Sequence, residues 1–109
     1  MNVLFICSRN QWRSPTAERI YINSPGISTK SVGTASSAKH KVTHHDIQWA
    51  DLVIAMEQKR LKRLRAGFPG EMQYKDSYTL DIPDNYRYMD PELVDIISES
   101  LDPILQSDT

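Results

Sequence analysis

The chain has 109 residues, 39% of them hydrophobic and 25% charged, and its formal net charge is −1. This length fits one domain with one modest core, so we expect a single domain over 1–109. Its 6 Pro and 4 Gly exclude long disordered linkers, and no run approaches the roughly 20 apolar residues that span a bilayer. The sequence opens on a strand-like apolar run without a basic leader, so we expect a cytoplasmic protein.

The charges are unevenly divided along the chain. Residues 1–65 carry 11 Lys and Arg against 4 Asp and Glu, whereas residues 66–109 carry 2 against 10. The first part can face an anion and the second can supply acids, although two solvated surfaces would give the same counts. Leucines interrupt the basic run 59–65, which favours a solvated face of a packed helix over a nucleic-acid or membrane surface. We therefore expect neither nucleic acid nor membrane as a partner.

Strand and helix patterns alternate along the chain. The predicted strands are 2–7, 28–36, 50–56 and 72–80. The predicted helices are a first one with Ser14 as N-cap and Pro15 as first residue, then 39–50, 57–68 and 90–101, with a loop at 81–89. This alternation predicts an α/β fold of three layers, α/β/α, with a four-stranded parallel sheet.

The only cysteine, Cys7, ends the first predicted strand, and five residues separate it from Arg13 at the start of a helix. Ligands of open parallel sheets bind beyond the carboxyl ends of the strands. The N–H groups of such a loop can cradle a tetrahedral oxyanion, the helix N-terminus adds partial positive charge, and Arg13 can donate two parallel hydrogen bonds to phosphate. We therefore predict that Cys7 is a thiolate nucleophile at neutral pH.

The alternative is a buried strand-end cysteine beside an unrelated arginine. The strand before Cys7 and the Arg-Ser-Pro helix start after it favour the phosphate loop. A lone cysteine excludes an internal disulfide and argues against a cysteine zinc site. No Gly-Lys-Ser/Thr follows the first strand, so ATP or GTP binding is not predicted.

The run VLFICSRNQWRSPTAE resembles the N-terminal strand and phosphate loop of the low-molecular-weight protein tyrosine phosphatases, Cys-x5-Arg-Ser/Thr usually followed by Pro. Three later segments are also similar to that family: SVGT at 31–34, ADLVIAM at 50–56, and DIPDNY at 81–86, which resembles its late Asp-Pro-Tyr loop. The resemblance covers most of the chain in this order. It implies the fold of that family and a cysteine-dependent phosphomonoesterase, most simply one that resembles a tyrosine phosphatase.

The resemblance also implies roles for the loop. Cys7 attacks the phosphoryl group, Arg13 clamps it, and Asn10 and Ser14 shape the loop and stabilise the thiolate. The implied phosphate-binding loop comprises Ser8, Arg9, Asn10, Gln11, Trp12, Arg13 and Ser14. The implied substrate is a phosphotyrosine peptide or a small aryl phosphate, with inorganic phosphate or other oxyanions as ligands. No cofactor and no metal is implied.

This chemistry needs an acid to protonate the leaving oxygen and later to activate water against the phosphocysteine. Asp84 is our candidate because 84–86 aligns with the family's Asp-Pro-Tyr, with Asp81 as the rival. Tyr86 and Tyr88 are candidate pocket walls that would stack on an aryl substrate, although exposed tyrosines would give the same pattern.

The chain departs from the family in three places. Arg9 stands where Gly is typical, and a positive φ there would strain a residue with a side chain. Trp12 replaces the second loop cysteine of many members, which leaves Cys7 open to over-oxidation. The segment 34–50 is short, which puts protein phosphotyrosine in doubt as the natural substrate.

Three other functions use a similar loop. Arsenate reduction needs further cysteines, and a sugar phosphotransferase domain of the B type needs no arginine clamp. A non-catalytic phosphate-binding or phosphopeptide-binding domain that keeps the loop stays open as the alternative.

Overall fold

The computed structural model describes residues 1–106. The strands are β1 (Asn2–Cys7), β2 (Ser28–Gly33), β3 (Leu52–Ala55) and β4 (Asp76–Thr79). The helices are α1 (Arg13–Tyr21), α2 (His44–Trp49), α3 (Gln58–Gly67), α4 (Pro69–Met72) and α5 (Pro91–Gln106). All three strand pairs are parallel, and the order in the sheet is β2-β1-β3-β4. The predicted four-stranded parallel sheet is confirmed.

The sheet has an apolar cluster on each face because successive side chains of a strand point to opposite sides. Val3, Phe5 and Cys7 of β1 belong to a cluster that includes residues of α1 and α5. Leu4 and Ile6 belong to the other cluster, with residues of α2, α3 and α4. Helices therefore cover both faces of a buried parallel sheet, which confirms the three-layer α/β/α arrangement.

The start of α1 differs from the prediction. The helix begins at Arg13, and Trp12 occupies the N-cap without a side-chain cap. Ser14, predicted as the N-cap, lies inside the first turn and is fully buried, and Pro15 is the third helical residue. The prediction was wrong because the Ser14 hydroxyl contacts Cys7 and Asn10 instead of capping the helix.

The predicted helix 39–50 is shorter in the structure. It begins at His44 because Thr43 caps it: Thr43 Oγ1 accepts from the Asp46 N–H, and Asp46 Oδ2 accepts from the Thr43 N–H. The preceding residues run beside β2, where Lys41 forms an isolated parallel bridge with Gly33.

The last helix is longer than predicted. It continues past 101 through Pro103 because Leu105 extends the buried four-residue spacing of Leu93, Ile97 and Leu101. Asp90 precedes it, and its Oδ1 accepts from the Glu92 N–H at 2.9 Å, as expected of a cap. None of the helices described in 1–106 is long and apolar enough to cross a membrane.

We expect Tyr21→Phe to lower the free energy of unfolding by about 1.5–3 kcal/mol, the range for a hydrogen bond to a charged group. Tyr21 is 6% exposed, and its hydroxyl donates to Asp102 Oδ1 at 2.6 Å, which joins α1 to α5. Burial and the Asp102 carboxylate raise the pKa of Tyr21. The unfolded chain therefore loses this proton first, so the stabilisation is complete below about pH 10 and declines as the pH rises further.

Urea unfolding measures this effect. The difference in the free energy of unfolding between the wild type and Tyr21→Phe should stay constant from about pH 7 to pH 9 and be smaller at about pH 11. Tyr74→Phe is the control, because Tyr74 is 89% exposed and its loss should change stability by less than about 0.5 kcal/mol. A gap that does not change across this range contradicts the prediction.

Candidate active site

The Cys7 sulfur lies at the carboxyl edge of the central strand β1 and is enclosed by the loop that follows. Cys7 is 3% exposed. Its Sγ lies 3.0 Å from Ser14 Oγ and accepts from the Asn10 N–H at 3.3 Å. Asn10 Nδ2 donates to Ser14 Oγ at 3.1 Å, so the Ser14 hydroxyl can give its own proton to another acceptor. Two acceptors are within reach, the Cys7 sulfur at 3.0 Å and Val32 O at 3.4 Å, and the sulfur is the nearer one.

The loop turns sharply at Asn10, whose φ is 56°. Asn tolerates this left-handed conformation better than most residues. Arg9 is not among the described residues with positive φ, so the strain that its replacement of Gly could have caused does not arise. The backbone N–H groups of Arg9, Gln11 and Trp12 donate no hydrogen bond within 1–106. These donors are available to an oxyanion.

The segment after β2 supports the loop from behind. Thr34 N–H donates to Cys7 O at 3.1 Å, Ala35 N–H to Ser8 O at 2.9 Å, and Lys39 N–H to Arg9 O at 3.1 Å. A Cβ atom at Gly33 would lie 2.6 Å from Ser8 O and from the Cβ of Ala38. The Gly in the SVGT match is therefore required because the loop packs directly on its backbone.

Arg13 is held by two groups that come from other parts of the chain. Its guanidinium is 1% exposed, and Nη1 donates to Glu57 Oε1 and to Ile82 O, both at 2.7 Å. Glu57 was not among the site residues predicted from the sequence. Its position directly after β3 was the available signal, because β3 is parallel to β1 and both strands end at the same edge of the sheet. Arg13 Nε is buried and donates no hydrogen bond within the described chain.

The two candidate acids lie in different places. Asp84 Oδ1 is 3.5 Å from Arg13 Nε, and its side chain is half exposed. Asp81 is exposed and lines a separate recess with Glu57, Gln58 and Lys59. Of the two, Asp84 is the one that shares a cavity with Cys7.

This cavity, the Cys7 cavity, has a volume of about 50 Å³ and is lined by Cys7, Arg9, Gln11, Trp12, Arg13 and Asp84. Trp12 is 39% exposed, so its indole forms part of the rim.

Tyr86 and Tyr88, predicted as candidate walls, do not line the Cys7 cavity. Tyr86 packs against the cluster beside α1 and α5, and partial desolvation with the carboxylates of Glu92 and Asp90 raises its pKa. Tyr88 is 50% exposed.

The histidines lie away from this cavity. His40 Nε2 is 3.3 Å from Asp46 Oδ2, and the rings of His44 and His45 lie 4.0 Å apart. Within residues 1–106, no three His, Cys, Asp or Glu side chains come together as a metal site.

No family model matches the sequence, and no curated protein matches it. Solved structures do. The tyrosine phosphatase Wzb of Escherichia coli K30, in complex with phosphate, has a TM-score of 0.80 at 20% identity over 97% of this chain and 96% of its own. A low-molecular-weight phosphotyrosine phosphatase of Vibrio cholerae O395 has 0.78 at 22% identity, over 98% and 95%. The YwlE arginine phosphatase of Geobacillus stearothermophilus has 0.76 at 22% identity, over 97% and 94%.

These similarities confirm the predicted fold. The chain has the fold of the low-molecular-weight tyrosine phosphatases over nearly its whole length. Phosphatases named for tyrosine and for arginine both share it, so the fold alone does not select a substrate.

We expect Gly33→Ala to displace the loop, because its new Cβ cannot fit beside Ser8 O. The free energy of unfolding should fall by about 1–3 kcal/mol, and inorganic phosphate should no longer slow the alkylation of Cys7 by iodoacetate. Gly70→Ala in α4 is the matched control, because nothing lies within 4 Å of its Cβ position. Equal effects of the two substitutions would contradict the role assigned to Gly33.

Proposed function

We propose that the protein is a cysteine-dependent phosphomonoesterase of the tyrosine-phosphatase type, acting through a phosphocysteine intermediate on Cys7. One observation supports it above all others: Cys7, Arg13 and Asp84 line a single small cavity at the carboxyl edge of the sheet. A nucleophile, an oxyanion clamp and a proton donor are the three groups that this chemistry requires.

In the first step, the Cys7 thiolate attacks phosphorus opposite the ester oxygen. The P–S bond forms as the P–O bond breaks, and the electron pair of that bond stays on the leaving oxygen. Asp84, in its acid form, gives that oxygen its proton, so the alcohol or phenol leaves neutral. Asp84 is half exposed beside the cavity, a position open to the departing group.

In the second step, water attacks the phosphocysteine. Asp84, now a carboxylate, takes a proton from the water as the new P–O bond forms and the P–S bond breaks. Inorganic phosphate leaves, and Cys7 returns as thiolate. The hydroxyl of Ser14 at 3.0 Å and the N–H of Asn10 at 3.3 Å stabilise the sulfur as a leaving group.

Arg13 carries the equatorial oxygens of the phosphoryl group. Glu57 and Ile82 O both engage Nη1, which leaves Nε and Nη2 to form the two-pronged contact with phosphate. Glu57 is thus a positioning residue, since it touches Arg13 rather than the substrate. The free N–H groups of Arg9, Gln11 and Trp12 add donors around the same anion.

The substrate we propose is a phosphotyrosine peptide or a small aryl phosphate, and phosphate and other oxyanions are ligands of the same cavity. The phosphate complex of the E. coli K30 enzyme supports this ligand chemistry. The mechanism uses no cofactor. We further propose a cytoplasmic location, because an unprotected catalytic thiol is maintained in a reducing compartment.

The deciding measurement is hydrolysis of p-nitrophenyl phosphate in EDTA. Cys7→Ser should reduce turnover to background because the nucleophile is lost, and Arg13→Ala should lower kcat/KM by about 10²-fold or more because the oxyanion clamp is lost. Undiminished turnover by Cys7→Ser would overturn the mechanism. Phosphate binding by the wild type without turnover would favour a phosphate-binding domain instead.

The role of Asp84 is tested by leaving groups of different basicity. Asp84→Asn should lower kcat/KM for phenyl phosphate by about 10²-fold or more, because kcat/KM reports the first step and phenolate needs a proton to leave. The loss should be smaller for p-nitrophenyl phosphate, whose leaving group is more acidic. Asp81→Asn is the matched control and should behave as wild type with both esters. A large loss in Asp81→Asn together with wild-type activity in Asp84→Asn would assign the role of the acid to Asp81.

Glu57→Gln should lower kcat/KM for p-nitrophenyl phosphate by about 10- to 100-fold, because Arg13 keeps a hydrogen-bond partner but loses the charge that fixes its orientation. Glu57→Ala should lower it further. Glu99→Gln removes an exposed carboxylate of α5 as the control. Steady-state kinetics of the four proteins test this, and equal activity of Glu57→Gln and wild type would contradict it.

A further inference from the structure

Five cations whose side chains have no part in the proposed mechanism share a property: none has a carboxylate oxygen within 4.0 Å in the described part of the chain. They are Arg9, Lys39, Lys41, Arg60 and Arg63, and we call them the basic strip. Lys30 and Arg13, by contrast, each face a carboxylate. Unpaired cations raise the local positive potential and attract an anionic partner.

The basic strip starts at the Cys7 cavity and leads away from it. Arg9 lines that cavity, and its carbonyl accepts from the Lys39 N–H at 3.1 Å. Lys41 lies beside Gly33, directly behind the loop. Thr34 joins the Cys7 loop to Arg60 of α3. Its N–H donates to Cys7 O at 3.1 Å, and its hydroxyl accepts from Arg60 Nη1 at 3.3 Å. The basic strip therefore adjoins the loop that encloses Cys7.

A second cavity of about 200 Å³ lies on this path, between the segment after β2 and the helix α3. Its lining includes Thr34, Lys41, Val42, Arg63, Leu64 and Phe68, and we call it the Lys41 recess. Two exposed cations and a buried apolar surface meet here, since Val42 and Leu64 are both buried. This combination suits a side chain with an apolar stem and an anionic end.

Arg60, which adjoins the recess through Thr34, contributes an unused donor. Its Nε is buried and has no hydrogen-bond partner within 1–106. A buried donor without an acceptor is unfavourable, and an anion close by would relieve that cost. The donor, the unpaired cations and the apolar floor all favour the same kind of occupant.

We propose that the Lys41 recess binds a glutamate side chain of the substrate, so that the preferred substrate is a phosphorylated peptide with an acidic residue near the phosphorylated one. The two methylene groups of glutamate cover Val42 and Leu64, and its carboxylate meets Lys41 and Arg63. This inference rests on the proposed function, because the phosphoryl group must occupy the Cys7 cavity. A nucleic acid fits less well, since Phe68, the aromatic residue of the lining, is partly buried against the apolar cluster beside α2, α3 and α4 and offers little surface on which bases could stack.

The test compares phosphotyrosine peptides that differ only in carrying Glu or Gln at positions flanking the phosphotyrosine, with p-nitrophenyl phosphate as the substrate that lacks a flank. The wild type should favour the Glu peptide in kcat/KM by about fivefold to tenfold at low salt, with the preference shrinking as salt rises. Lys41→Gln and Arg63→Gln should each reduce it to about twofold. Both should leave kcat/KM for p-nitrophenyl phosphate unchanged.

Lys62→Gln is the matched control, because Lys62 is exposed on α3 next to Arg63 and does not line the recess. It should keep the full preference. Equal losses in Lys62→Gln and Arg63→Gln, or displacement of the Glu peptide by single-stranded RNA, would mean a general basic surface and would overturn the proposal. Equal kcat/KM for the Glu and Gln peptides, in a wild type that hydrolyses p-nitrophenyl phosphate, would also overturn the proposal.

Binding separates this proposal from the proposed function. If the wild type hydrolyses neither p-nitrophenyl phosphate nor the phosphopeptides, the phosphomonoesterase function fails. Calorimetric titration of the wild type with both phosphopeptides then tests the recess by itself. Tighter binding of the Glu peptide that is lost in Arg63→Gln would support the recess, and equal binding would overturn it.

Discussion

The contact of the Arg13 guanidinium with Glu57 and Ile82 O is the constraint around which the site is organised. A guanidinium that is 1% exposed requires a counter-charge, because an unpaired buried charge is strongly destabilising. Meeting this requirement brings together the start of α1, the end of β3 and the segment after β4. The same segment after β4 carries Asp84, so the contact that neutralises Arg13 also brings the proposed acid to the Cys7 cavity.

The loop around the thiol is held by a second set of contacts that is almost entirely backbone. Gly33 allows the loop to lie against β2, and three amides of 34–39 hold the carbonyls of Cys7, Ser8 and Arg9. The N–H groups of Arg9, Gln11 and Trp12 then have no hydrogen-bond partner in the described chain. The capacity of this loop to bind an oxyanion therefore depends on its backbone conformation. Side chains at Arg9 and Trp12 are compatible with that conformation because the residue with positive φ is Asn10.

Much of this could be predicted from the sequence, and the failures have physical causes. Buried strands and helical periodicities are local, so the α/β class and the position of Cys7 at a strand end followed directly. Glu57 was missed because its role depends on β3 lying beside β1, which no local pattern reveals. Ser14 was assigned as a cap because a serine before proline favours that role, yet a buried sulfur and an amide compete for its hydroxyl. Whether Tyr86 and Tyr88 line the Cys7 cavity could not be read from the sequence, because side-chain direction in an irregular loop is set by packing; in the structure neither lines it, and Tyr86 packs against the core.

The phosphocysteine intermediate is the central claim, and trapping it is the most direct test. Asp84→Asn should form the intermediate from p-nitrophenyl phosphate but hydrolyse it slowly, since the base that activates water is missing. Acid quenching within the first turnover, followed by mass spectrometry of the peptide that contains Cys7, should find one phosphoryl group on sulfur, and none in Cys7→Ser. Steady turnover with no phosphoryl group on Cys7, or with the group on another residue, would contradict the mechanism.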